Sequence, residues 1–199
     1  MGAKVLHPRC LGPAAWAQVP IVIRNTEDPS ADGTWIGGSA DEDDDPAVLA
    51  VVQRHDVTLL TISTLAMWGT PGFLARAFAP FHDLGISVDL VATSQSAVSV
   101  TLDRIPEGLG GAPFRGLLDR LEALGEVEVV HPCAVVSIVG RRIRTVLHEL
   151  GPAMAAFREH RVHLVSESSE DLNISFVVDE EAAGPLVVKL HERLFDAQG

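Results

Sequence analysis

Apolar and polar positions alternate with a period of two over several short segments of this chain, between stretches where the apolar residues recur every three or four. "VTLLTIST", residues 57–64, is rich in β-branched residues and predicts a strand. In the segment that follows, Phe73, Leu74, Ala77, Phe78, Phe81 and Leu84 form a helical stripe, and Gly85 is a natural stop. Pro80 within the stripe predicts a kink or a shortened last turn. Ile86, Val88, Leu90 and Ala92 then alternate with Ser87, Asp89, Val91 and Thr93, and Val98, Val100 and Leu102 with Ser99, Thr101 and Asp103, giving two strands with an apolar face. Phe114, Leu117, Leu118, Leu121 and Leu124 line a second helix ending at Gly125, and "EVEVVHP" closes the group as a strand. The order is β-α-β-β-α-β, a ferredoxin-like unit.

A second copy follows. "AVVSIVG" is a strand. Ile143, Val146, Leu147, Leu150, Met154 and Phe157 suggest helix, interrupted at Gly151-Pro152, with Pro152 at the first position of a fresh segment. "VHLVSES" and "NISFVVD" are strands, and Leu186, Val187, Leu190 and Leu194 give a last helix an apolar face. This copy ends one strand short. "AVLAVVQRH", residues 47–55, has no role in the first copy. Pairing it into the second gives both sheets four strands and closes an edge that would invite aggregation. The expected fold is therefore α+β, with two ferredoxin-like units, the first inserted in the second. Residues 57–132 make the first unit, and residues 47–56 with 133–199 the second.

Upstream, "DEDDD" at 41–45 precedes Pro46. The run lacks the spaced ligands, turn glycine and closing glutamate of a calcium loop, so residues 39–46 read as a solvated linker. The formal net charge of -12 and the scattered basic residues argue against nucleic-acid or anionic-membrane partners. No apolar run reaches the ~18 residues of a membrane span, and the first residues lack a signal-peptide core. Cys10 and Cys133 offer neither CxxC nor a disulfide framework, which fits a cytosolic protein with reduced thiols. His131 and Cys133 lack the further partners a zinc site needs. Gly37-Gly38 and Gly110-Gly111 lack the strand–glycine–helix setting of a dinucleotide site.

The most suggestive segment is "GTPGF", residues 69–73. A helix start offers free N–H groups and a partial positive charge of ~0.5 to an anion. No lysine follows the glycine, so a phosphate is not the expected guest. Thr70 fits a cap and Pro71 a first helical residue, while Phe73 and Leu74 are explained by the core stripe alone. Asp89, on the polar face of a strand, reads by itself as solvated.

"GFLARAFAPFHDLGISVDLVATS", residues 72–94, followed by "AVSVTLD", resembles the first ACT domain of aspartate kinases. "NISFVVDEEAAGPLVVKLHERLF" resembles the end of their second ACT domain. "GAKVLHPR" and "VPIVIRNTEDPSADGTWI" resemble the last segment of their catalytic domain, here residues 1–38. The family's Lys-Phe-Gly-Gly type phosphate loop is absent, so the resemblance implies a regulatory, C-terminal portion that is inactive alone. ATP and magnesium belong to the intact kinase, with Lys4 matching a lysine of its nucleotide pocket; the fragment itself calls for no cofactor and no metal.

The resemblance also implies an effector site where two first ACT domains meet in a homodimer. Carried over, one side is Met67, Thr70, Gly72, Phe73 and Leu74, and the other is Val88, Asp89, Thr93, Ser94 and Gln95. The helix start would hold the effector's α-carboxylate, and Asp89 an ammonium group. Lysine-sensitive relatives often read Ser-Glu-Val-Ser where this chain has "SQSA", so Gln95 replaces a carboxylate. Lysine is the first candidate and threonine the second. Ser166, Glu167, Ser168 and Asn173 occupy related positions in the second copy, to which no ligand is assigned. The competing readings are a small complete kinase, which the missing phosphate loop opposes, and a free-standing ACT protein, which "GAKVLHPR" opposes. A kinase fused to another enzyme of the pathway stays open.

Overall fold

The computed structural model describes residues 6–37, 48–143, 150–167 and 171–195. Lys4, the acidic run and Ser168 lie outside them. The chain divides into two compact units, Met1–Pro46 and Ala47–Gly199.

In the first unit, α1 (Pro8–Trp16) is followed by β1 (Ile21–Ile23) and β2 (Thr34–Ile36), which pair antiparallel. His7 caps α1, its Nδ1 accepting the Arg9 N–H at 3.2 Å. Gly33 sits so close to the Ile23 carbonyl that a Cβ there would lie 2.6 Å from it. Trp16 is 95% exposed and Trp35 66%.

The second unit is built on one six-stranded sheet. Its elements are β3 (Val48–Ser63), a 3-10 turn (Leu65–Met67), α2 (Phe73–Asp83), β4 (Val91–Thr93), β5 (Ala97–Leu102), α3 (Ala112–Glu122) and β6 (Glu126–Gly140). Then come α4 (Gly151–Met154) with a 3-10 extension to Glu159, β7 (Val162–Glu167), β8 (Asn173–Asp179) and α5 (Ala183–Phe195). Strand order is β4-β5-β3-β6-β8-β7. The two expected strands 47–55 and 57–64 are one continuous strand, β3, and "EVEVVHP" and "AVVSIVG" likewise merge into β6. The far half of β3 pairs with β5 over Thr58–Ser63. Its near half pairs with the second half of β6, from Val48↔Gly140 to Arg54↔Val135. The strand that the second copy lacked is therefore supplied by residues 48–54, and each ferredoxin-like unit has four strands. The register shifts between Arg54 and Val57, where Asp56 has φ +59°.

Helices cover one face. Leu60, Ile62, Val98, Val100 and Leu102 from the sheet bury Phe73, Ala77 and Phe81 of α2 and Phe114, Leu117 and Leu121 of α3. Ala134, Val136, Ile138, Phe176 and Val178 do the same for Leu186 and Leu190 of α5. Of the residues that the helical stripes predicted, Phe73, Ala77, Phe81, Phe114, Leu117, Leu121, Leu186 and Leu190 are buried, others such as Phe78, Leu118 and Val187 pack half-buried against the same cores, and Leu74 is 42% exposed; Val146 and Leu147 lie outside the described residues. On the other face Val57, Leu59, Val135, Leu164 and Val177 form a third core, which Leu90 and Ala92 also pack against. The sheet curves enough for its outer strands β4 and β7 to touch.

Three sequence expectations change. The helix after "GTPG" starts at Phe73 with Gly72 as its cap, so Thr70 and Pro71 precede the helix. The strand expected from Ile86 shortens to Val91–Thr93, because the Thr101 hydroxyl takes the Leu90 N–H at 2.9 Å. Pro80 does not end α2 early. The helix runs to Asp83 and closes at Gly85, φ +67°, with the Gly85 and Ile86 N–H groups donating to His82 and Phe81 at 3.1 and 2.8 Å. That pair of bonds is a Schellman stop.

Candidate functional site

The turn before α2 explains its own sequence. The Phe73 N–H donates to the Thr70 carbonyl at 3.3 Å, and Gly72 has φ +76° and ψ +6°. A type II turn wants proline second and, at about (+80°, 0°), glycine third, which is the order in Thr-Pro-Gly-Phe. No side chain caps the helix start that follows. The amides of Leu74 and Ala75, in its first turn, therefore have only groups outside the helix to bond. Met67 packs on the core beneath α2 and α3, Phe73 is buried within it and Leu74 is half-exposed.

Thr93, Ser94 and Gln95 lie at the same end of the sheet. The Thr64 N–H donates to the Ser96 carbonyl at 2.7 Å, which ties the β3 exit to the β4–β5 turn. Ser94 shapes that turn: its hydroxyl oxygen accepts the Ser96 and Ala97 N–H groups at 3.3 and 3.1 Å. Gln95 is exposed at the tip.

Val88 and Asp89 are elsewhere. Val88 packs on the same core, but the Asp89 N–H donates to the Thr101 carbonyl at 3.0 Å, at the opposite end of β5. Ser94 lies five positions beyond Asp89, roughly 16 Å at the strand rise of about 3.3 Å per residue. Within one chain, the expected anion-holding turn and the expected carboxylate are thus at opposite ends of β4.

Asp89 has a partner that sequence reasoning missed. Arg54, on β3, reaches it through Nη2, while Nη1 lies 2.8 Å from Asp103. One guanidinium bridges two carboxylates from two different loops. Burial pushes the Asp103 carboxyl above its ordinary value; Arg54 pulls it back and Asp89 adds to the rise. Arg54 Nε is buried with no hydrogen-bond partner. The one hint in the sequence was a cation in the short polar stretch Gln53–Asp56 between two apolar runs of a strand.

Near this cluster a cleft of about 730 Å³ opens between the loop after β5 and the end of α2. Leu102, Ile105 and Leu109 form apolar wall, and Asp56, Asp103 and His131 supply polar groups. His131 is fixed by Thr58, Nδ1 to Oγ1 at 3.0 Å. Among the described residues no group of three His, Cys, Asp or Glu side chains could hold a metal ion, and no helix is long and apolar enough to cross a membrane. In the second copy Ser166 and Asn173 lie on β7 and β8.

No family model matches the chain. Curated proteins and solved structures do. Aspartokinase 2 of Arabidopsis thaliana is 36% identical over 98% of this chain, and lysine-sensitive aspartokinase 3 of Escherichia coli 32% over 98%. The chain spans about two fifths of these relatives, 37% and 43% of their lengths. The crystal structure of E. coli aspartokinase III in complex with lysine and aspartate superposes with a TM-score of 0.79, over 98% of this chain and 43% of that one. The regulatory subunit of aspartate kinase from Thermus flavus, 19% identical, shares the fold at a TM-score of 0.63 over 74% of this chain and 98% of its own. By sequence along nearly its whole length and by fold, the chain belongs to the aspartokinase family and carries the ACT-type fold of that family's regulatory region.

Proposed function

We propose that the chain is the allosteric regulatory module of an aspartokinase, an enzyme that phosphorylates L-aspartate with ATP and magnesium, and that it binds a feedback-inhibiting amino acid between two copies of itself. The observation that carries this reading is the split of the expected clamp. An α-amino acid is much shorter than the roughly 16 Å along the chain from Asp89 to Ser94. A second copy set antiparallel along the outer edge of β4 would bring its Asp89 beside the Thr70–Leu74 turn of the first. Among the described residues, β4 has a ladder partner on one side alone, β5; β7 comes near it but does not pair with it. Val91, on this strand, is 40% exposed. Two-fold pairing would satisfy that edge and build two equivalent sites at once.

In each site the uncapped start of α2 receives the α-carboxylate, and the type II turn keeps its backbone free of side-chain bulk. Asp89 of the other copy takes an ammonium group. Lysine, with two such groups, is the first candidate, supported by the lysine-bound E. coli relative. Threonine is the second, favoured by the neutral amide of Gln95. The effector shifts the kinase only so far as it prefers one arrangement of the pair.

Calorimetric titration with lysine and with threonine, beside sedimentation of the chain with and without them, tests the reading. Saturable heat with lysine and a dimer at micromolar concentration are expected. Heat from threonine alone overturns the choice of lysine, and heat from neither overturns the effector site.

A further inference from the structure

Arg54 is on neither side of the proposed clamp, yet it holds the clamp's carboxylate. Its two Nη atoms bind Asp89 and Asp103, so one cation is shared by two anions. Its Nε is buried and bonds to nothing, which leaves the bridging arrangement with an unmet donor. It is also the last paired residue of β3, Arg54↔Val135, before the register shift that leads from the second ACT unit into the first.

We propose that Arg54 is an internal competitor for Asp89: an effector ammonium displaces it, and the displaced guanidinium stays with Asp103. This rests on the reading of Asp89 as the ammonium-binding residue. Two cations crowded on one exposed carboxylate repel each other, so the incoming ammonium gains its full attraction only when Arg54 withdraws. Asp103 makes withdrawal cheap, because the guanidinium keeps one of its two ion pairs and need not be left buried and unpaired. The three groups together carry two negative charges and one positive, so one ammonium neutralises the cluster. The exchange also changes what holds the β3 bulge, and so reaches the strand that the two ACT units share.

The competition has a definite sign. Replacing Arg54 by methionine, which keeps the length and loses the charge, removes the competitor. Lysine affinity of the full chain, measured by calorimetry, is expected to rise about five-fold or more. In Asp89→Asn the affinity falls, and adding Arg54→Met to that variant restores nothing. Arg54→Lys keeps a cation in place and is expected to stay close to the original affinity. Thermal melts identify unfolding: a folded Arg54→Met that binds lysine equally or more weakly overturns the competition. A residue that merely braced the fold would lower the melting temperature and weaken lysine and threonine alike. Absence of lysine binding in the unsubstituted chain overturns the effector reading and this inference with it, whereas binding that Arg54→Met fails to tighten overturns this inference alone.

Discussion

Two residues show how much one backbone or side-chain property decides. Gly72 sits at φ +76° with open space where a Cβ would be, so its requirement is conformational and not steric. Gly72→Ala is expected to cost about 1 kcal/mol of stability, read as a fall in melting temperature, and to weaken effector binding by reshaping the turn. Cys133 is fully buried, and burial, with the nearby Asp179 carboxylate, pushes its thiol up to about 11 from the ordinary 9.0. The folded thiol stays protonated where the unfolded one has ionised. Its contribution is complete below pH 9 and is lost as pH rises from about 9 to 11. Cys133→Ala should flatten that part of the stability–pH curve, measured by denaturant melts. Cys10 is exposed, so a thiol reagent at pH 8 should label one cysteine quickly and the second on unfolding. The turn was partly legible in the sequence: Thr-Pro-Gly announces a break, but proline serves equally as second residue of a turn and first residue of a helix. The backbone of Gly72 decides between these, and local pattern does not display it. Arg54 was illegible for another reason, since its partners stand 35 and 49 positions away and nothing periodic links them.

At the level of elements, the helices and strands were largely readable because their buried faces repeat at 3.6 and 2 residues. What periodicity could not show was continuity. Residues 47–55 and 57–64 alternate as two strands, and the register shift at Asp56 hides that they are one. Counting strands did better: the second copy was one short, and residues 48–54 fill the gap. The converse failure is at Ile86–Leu90, where alternation suggested strand but the Thr101 hydroxyl replaces a ladder bond. The near half of β3 should therefore be indispensable to the second ACT unit. Residues 47–199 are expected to fold alone with a cooperative melt by circular dichroism. Residues 57–199 would leave the Val135–Gly140 edge of β6 unpaired and should aggregate, seen by light scattering.

For the whole molecule, the edge of β4 carries the proposed assembly. Val91→Lys places a charge on that edge without touching a core residue, and should weaken dimerisation about ten-fold by sedimentation equilibrium, with effector affinity falling alongside. A dimer that ignores this substitution would place the contact elsewhere. The relatives supply the context in which such a contact matters, because this chain spans about two fifths of their length.

Strands β3 and β6 each run through both ACT units without a break in the chain, their ladder shifting register at Val48–Ala50 and at the bulges of residues 54–59. There is consequently no linker between the units about which either could swing. A pull on one end of such paired ribbons is passed on as torsion, so an event beside Asp89 would be felt in the second unit as a change of sheet twist. The bulge, where the ribbon is least uniform, is the natural place for that twist to be taken up.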